Sequence, residues 1–260
     1  MPTHGYTLNA ALAAIEQDIR QGRGGYVCLA NVHMCMEAFD DANFSAIMQN
    51  ARYVLADGRP IFWGQKLLGA TEVEQIRGFD LVVALCEKAA SNGFNIGLYG
   101  GSDQQLLAKL QQQLCQRFPT LNIVYSYAPP FFTGELPIDE QALQVIAQQQ
   151  VQILLVGLGC PKQERWMALH HQQIIAQQAA KQSLGASPMM FGVGAAFDFL
   201  SGSKNHAPTW MQKAGLEWLH RLAFEPQRLG WRYLKHNPRF ILHFGWQWIR
   251  CKIKPSAVVR

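Results

Sequence analysis

Residues 151–159 read Val-Gln-Ile-Leu-Leu-Val-Gly-Leu-Gly, an apolar run without the alternation of a strand that wets one face. Such a run is buried on both sides, so helices must cover it above and below, and that requires a largely parallel sheet. Pro161 then stands near the first turn of a helix predicted to reach about residue 180. The same alternation recurs along the chain. Strands are expected at 25–30, 95–101 and 122–128, with Pro129-Pro130 ending the last, and 189–199 reads as a further strand and loop. Helices are expected at the N-terminus and over 42–54, 79–91, 103–117 and 139–149, with Ser102-Asp103 as a cap. Residues 61–68 are apolar with weak periodicity, and Gln111–Gln113 and Gln148–Gln150 read as solvated helix faces. Beyond Gly202 the pattern is helical only, with Pro226 and Pro238 expected as breaks. The division is therefore an α/β core over 1–203 and a helical appendage over 204–260.

With 260 residues, 49% of them apolar, the chain can bury a sizeable core. Its six cysteines form no CxxC pair, which fits neither a zinc module nor a disulfide scaffold and suits a reducing cytoplasm. The first segment lacks a basic n-region and reads as a helix rather than a signal peptide, and no run is long enough for an ordinary membrane span.

Charge divides with the fold. Residues 204–260 hold 11 Lys/Arg against 2 Glu, and five of the seven tryptophans. Cations interleaved with indole suit a membrane interface, although packing of these tryptophans on the core would explain them equally. Residues 240–249 are apolar nearly all round, basic at both flanks (Arg239, Arg250, Lys252, Lys254), and too short to cross a bilayer. No RNA or DNA module motif accompanies the basic tail, so no nucleic-acid partner is expected.

Several motifs could carry chemistry. Gly100-Gly101-Ser102 joins a strand to a helix, either as a phosphate cradle or as a tight turn; it lacks the full glycine fingerprint of a dinucleotide site. Gly157–Glu164 repeats that placement and adds Lys162 and Gln163. Asp57-Gly58 is a turn former or a general base. Arg77-Gly78-Phe79-Asp80 opens a helix. Arg221, Arg228 and Arg232 could converge on a diphosphate, or lie on a solvated face with Glu217 and Arg221 as an i,i+4 pair. There is no Asp-x-Asp metal motif, GxSxG or P-loop, and no histidine pair at metal-ligand spacing.

The ordered blocks ADGRP (56–60), RGFDL (77–81), LYGG (98–101), VGLGCPKQERWM (156–167), GVGAAFDFLSG (192–202), AP-x-WMQKAGLEWLHRL (207–222) and EPQRL (225–229) resemble the bacterial WecG/TagA/CpsF glycosyltransferases over roughly residues 25–235. The resemblance implies a Rossmann-like core of the GT-E type with a C-terminal appendage that closes the site and meets the membrane. It implies inverting transfer from a UDP-sugar to a lipid-linked acceptor sugar, at the cytoplasmic face of the inner membrane. It makes Asp57 the general base and Gln163 a catalytic-site residue. Substrate contacts are then expected from Asn31, Gly58, Arg77, Asp80, Gly100, Gly101, Ser102, Gly159, Lys162, Glu164, Gly194, Asp198, Arg221, Arg228 and Arg232. With no Asp-x-Asp, arginines would stand in for a metal, so no cofactor is expected. The chain departs from the family pattern at Leu29, Gln75, His206-Ala207-Pro208, Pro130-Phe131-Phe132 and Trp231, which bears on which sugar is taken. A homo-oligomer is also expected. The competing readings are a non-catalytic nucleotide-binding module with a membrane tail, an NAD-type oxidoreductase and a nucleic-acid binder.

Overall fold

The computed structural model describes residues 3–131, 138–179 and 187–253. Six strands form one sheet: β1 (Gly25–Ala30), β2 (Tyr53–Ala56), β3 (Asn95–Gly100), β4 (Asn122–Tyr127), β5 (Ile153–Gly157) and β6 (Met189–Gly192). Their order is β2-β1-β6-β5-β3-β4, and every pairing is parallel. The strand expected from the apolar run is β5, and its side chains divide between the two faces as a pleat requires. Ile153 and Leu155 enter one core, Leu154 and Val156 the other. The first core is covered by α1 (Leu8–Arg20), α5 (Gly78–Asn92), α6 (Gln104–Arg117) and α9 (Gly194–Leu200). The second is covered by α2 (Val32–Asp40), α3 (Ala42–Asn50), α4 (Arg59–Leu67), α7 (Glu140–Gln148) and α8 (Lys162–Ala179).

Three expectations change. The helix predicted over 42–54 stops at Asn50, and Tyr53–Ala56 is the strand β2. Four buried residues after a helical stretch carry too little pattern to separate, and Leu29 and Leu55 in register show what captures them. Residues 194–200, read as part of a strand and loop, form α9. Pro238 breaks nothing: it lies inside the 28-residue α12 (Pro226–Ile253), one turn after the exposed Leu234, to whose carbonyl its nitrogen has no hydrogen to donate. Pro226 does open that helix.

After α9 come α10 (Thr209–Ala214), α11 (Glu217–Phe224) and α12, which lies along α2. The span 240–249 is not free all round. Phe240 packs on the second core, and Phe244 lies so close to Gly64 that a Cβ there would sit 3.1 Å from its ring. The outer face of α12 leaves Trp231, Leu234, Ile241, Leu242, Trp246 and Ile253 exposed. Among the described residues, no helix is long and apolar enough to cross a membrane. Lys254 and the rest of the tail lie outside the described residues, as does Phe132.

Candidate active site

All the glycine-rich turns stand on the C-terminal edge of the sheet, where α/β proteins hold ligands. From β3 the chain leaves through α6 on one face, and from β5 through α8 on the other, so the turns diverge around a crevice. At this point the strands approach closely. Gly100 has φ +112°, and a Cβ on it would lie 2.6 Å from the Gly157 carbonyl carbon, so only glycine fits. The Gly101 amide donates to the Gly157 carbonyl at 2.8 Å. Ser102 Oγ donates to Asp103, whose other carboxylate oxygen caps α6 through the Leu106 amide at 2.8 Å.

The next turns along the edge are joined by Gln163. Its Oε1 accepts from the amides of Gly159 and Gly194, both at 3.1 Å, and its Nε2 donates to Glu164 at 2.8 Å. Gly194 must be small, because a Cβ would sit 2.9 Å from that Oε1. Glu164 is fully buried, its Oε2 makes no hydrogen bond among the described residues, and burial pushes its carboxyl up to about 7. The same surroundings raise the Cys160 thiol well above its ordinary value, which is the opposite of what a thiolate nucleophile needs. The Lys162 ammonium lies 4.4 Å from the Phe131 ring centre.

Asp57 follows β2. Its amide and that of Gly58 both donate to the Ala30 carbonyl at 3.0 Å, and Gly58 sits against Asn31. Asn31 in turn caps α2 through the Met34 amide at 3.1 Å. Gln75, at a position where the family pattern has arginine, donates to the Asp57 carbonyl at 2.6 Å. The Asp57 side chain accepts through Oδ1 from the Gly78 amide at 3.0 Å, and among the described residues Oδ2 accepts no hydrogen bond. Burial pushes this carboxyl up to about 6. Arg221, the Gly78 amide and Arg77 pull it down, and Glu217 pushes it further up. Three strand spacings separate the Asp57 turn from the Gln163 turn, roughly 14 Å at about 4.8 Å each. Among the described residues no hydrogen bond joins the two side chains; Asp57 accepts from the Gly78 amide, and Gly78 packs towards Ala196 of α9, whose first residue Gly194 donates to Gln163.

The appendage closes over the Asp57 end. Arg77 holds Asp80 with two bonds at 2.6 and 3.0 Å, reaches Glu217 on α11 at 3.0 Å and also contacts Gln212. Arg77 and Asp80 are thus engaged in fastening α10 and α11, and Glu217 pairs with Arg77 across space rather than with Arg221 along its own helix. Lys204 bridges Asp198 at 2.6 Å and Glu225 at 2.8 Å, a second fastening. His206 packs between the rings of Phe79 and Phe199. The Arg221 guanidinium lies 5.0 Å over Phe199 and forms one wall of a cavity of about 290 Å³, shared with Asp198, Lys204, His220 and Glu225. That cavity lies beside Asp57 rather than around it, and Arg221 faces both. Arg232 is half-buried on α12, its Nε sealed without a hydrogen-bond partner among the described residues and its guanidinium 5.5 Å from the Tyr233 ring centre. The side chain of Arg228 lies outside the described residues.

Glu217, Lys204, Gln212 and His206 were not singled out from sequence as site residues. Glu217 and Gln212 lay inside the WMQKAGLEWLHRL block and His206 at a departure from the family pattern, whereas Lys204 carried no signal. The family model described as "Glycosyl transferase WecG/TagA/CpsF family" matches residues 1–254. The chain belongs to this glycosyltransferase family. Its curated relatives include an N-acetylglucosaminyldiphosphoundecaprenol N-acetyl-beta-D-mannosaminyltransferase of Bacillus spizizenii, 26% identical over 85% of this chain and 79% of the relative. The Bacillus subtilis protein of the same name is 24% identical over 86% of this chain and 80% of its own length. That of Staphylococcus aureus is 26% identical over 83% and 78%. The family match spans both the core and the appendage, so the closure of α11 over Asp57 lies within the family's shared length.

Proposed function

We propose that this protein transfers an N-acetylhexosaminyl residue from a UDP-sugar to a sugar carried on a polyprenyl diphosphate, with inversion. One observation carries the reading: a carboxyl raised to about 6, with Oδ2 unengaged, beneath an arginine of the closing helix. Near neutral pH Asp57 is ionised yet still basic enough to take a proton, which is what a general base requires. In the step, the acceptor hydroxyl oxygen bonds to the anomeric carbon while its proton passes to Asp57 Oδ2. The bond from that carbon to the UDP oxygen breaks on the opposite face, and the electron pair leaves with the diphosphate. Arg221, with Arg228 and Arg232 on α12, meets that charge, whereas the N-terminus of α6 is already capped by the Asp103 carboxylate and the Gly101 amide is taken by the Gly157 carbonyl. These cations take the part a divalent ion plays in metal-dependent transferases, so turnover proceeds without added metal. Gln163 acts by holding the Gly159 and Gly194 turns in register, a positioning role.

The exposed apolar face of α12 supports a peripheral seat on the cytoplasmic leaflet, which brings the lipid-linked acceptor to the groove. The departures at Gln75 and His206 lie beside Asp57 and Phe79, where the transferred sugar would sit, and so bear on its identity. The test is UDP release from a panel of UDP-N-acetylhexosamines with a short-chain lipid-diphosphate N-acetylglucosamine acceptor. Release that needs both substrates and is lost in Asp57→Asn supports the proposal. UDP binding without release for any pair would favour a nucleotide-binding module instead.

A further inference from the structure

Away from the groove, α2 and α12 bring together three side chains that no step above uses. His33 and Glu37 are one turn apart on α2, and His236 faces them from α12. His33 Nε2 lies 3.4 Å from Glu37 Oε1, His236 Nε2 lies 4.0 Å from the same oxygen, and the three ligand atoms all fall within 4.8 Å of one another. Four-coordinate zinc, with bonds of about 2.0–2.1 Å, sets its ligand atoms about 3.4 Å apart. The first pair already has that spacing, the second needs to close by about 0.6 Å, and with no pair more than 4.8 Å apart none needs to close by more than about 1.4 Å, within reach of side-chain rotation.

A second observation points the same way. His236 is only 4% exposed, and among the described residues its Nδ1 is sealed with no hydrogen-bond partner. The ring's remaining polar outlet is Nε2, the nitrogen aimed at Glu37. Lys235 and Arg232 stand nearby and oppose a cation, while Asp40 is paired with Arg239.

We propose that His33, Glu37 and His236 form a binding site for one zinc-class divalent ion that fastens α12 to α2. Two imidazoles and one carboxylate, with a water completing the shell, are a common donor set for such an ion. The ion is structural here. It ties the helix bearing Arg228, Arg232 and the exposed apolar face to the helix that begins at Asn31, and it takes no part in the proton transfer at Asp57.

The test uses untagged full-length protein stripped with chelator, then titrated with Co2+ as a spectroscopic probe and with Zn2+ in competition. We expect one saturable equivalent with the intense visible bands of tetrahedral cobalt, and a Zn2+-dependent rise in melting temperature. Loss of an outer-shell partner typically weakens metal sites ~10–100-fold, so His33→Ala, His236→Ala and Glu37→Gln should each weaken binding by about 100-fold or more. Because His236 is buried and its alanine variant could misfold, the half-exposed Glu37→Gln decides the matter in that case. Absence of saturable one-to-one uptake, or uptake unchanged in Glu37→Gln and His33→Ala, overturns the proposal.

Discussion

Replacing Asp57 with asparagine should make the protein more stable as it makes it inactive. Burial lifts the carboxyl from 3.8 to about 6 in the fold, so ionising it costs about 3 kcal/mol relative to the unfolded chain, at about 1.36 kcal/mol per unit. The sign follows from that direction. A folded-state pKa above the unfolded one means the fold favours the protonated form. Wild type therefore loses stability as pH climbs from about 4 to about 6, and the loss is complete above that. Asparagine is neutral throughout and keeps the acceptor for the Gly78 amide. Its advantage should be near zero at pH 4, grow through the window, and level off above pH 6 to 7 at no more than about 3 kcal/mol. At about 2–4 °C per kcal/mol for chains of 150–250 residues, that is a rise of up to about 6–12 °C in melting temperature. Scanning fluorimetry of both proteins from pH 4.5 to 8, beside UDP-release assays, reads both effects. Turnover should fall ~10²–10⁴-fold, the usual contribution of a general base. A stability difference that ignores pH, or turnover within tenfold of wild type, would refute the assignment.

Four further outcomes are expected. Glu217→Gln removes a charge that pushes Asp57 up, so the acid limb of the pH–rate profile should move to lower pH; a limb that moves up, or not at all, contradicts the electrostatics described. Arg221→Ala should cost kcat about 10²–10³-fold, the scale of losing one transition-state donor, with Arg221→Lys recovering part of it. Ser or Glu at Ile241, Leu242 and Trp246 together should reduce recovery with anionic vesicles in flotation while UDP binding is retained; equal recovery would remove α12 from the membrane contact. Chelator should lower the melting temperature yet leave the rate unchanged well below it, which separates a fastening ion from a catalytic one.

The sheet was legible because β1, β3, β5 and β6 are buried apolar runs, while the edge strand β4 is only partly buried and is marked instead by the Pro129-Pro130 stop after it. β2 carried no such mark, since Tyr53–Ala56 is short and is identified by its neighbour β1 rather than by its own pattern. α9 stayed hidden because Gly194-Ala195-Ala196 carries no helical periodicity. The turns after β3 and β5 could be placed on the sheet edge from glycine and order alone. What each polar residue holds could not. Arg77, expected to contact substrate, is engaged by Asp80 and Glu217, and that pairing joins segments far apart in the chain. The same reason conceals His236: the spacing of His33 and Glu37 hints at nothing until α12 lies across α2.

The C-terminal helices are tied to the core through Arg77–Glu217, Lys204–Glu225 and Arg239–Asp40, and each of these pairs retains contact with water. Water-facing attractions fade once ions crowd in, over about 8 Å at physiological ionic strength. The ionic share of the roof's hold above Asp57 is therefore the share that brine can loosen, while the packing of Phe240, Phe244 and His206 keeps its grip. Potassium chloride should thus act as a graded handle on how firmly α11 closes over Asp57, before anything unfolds.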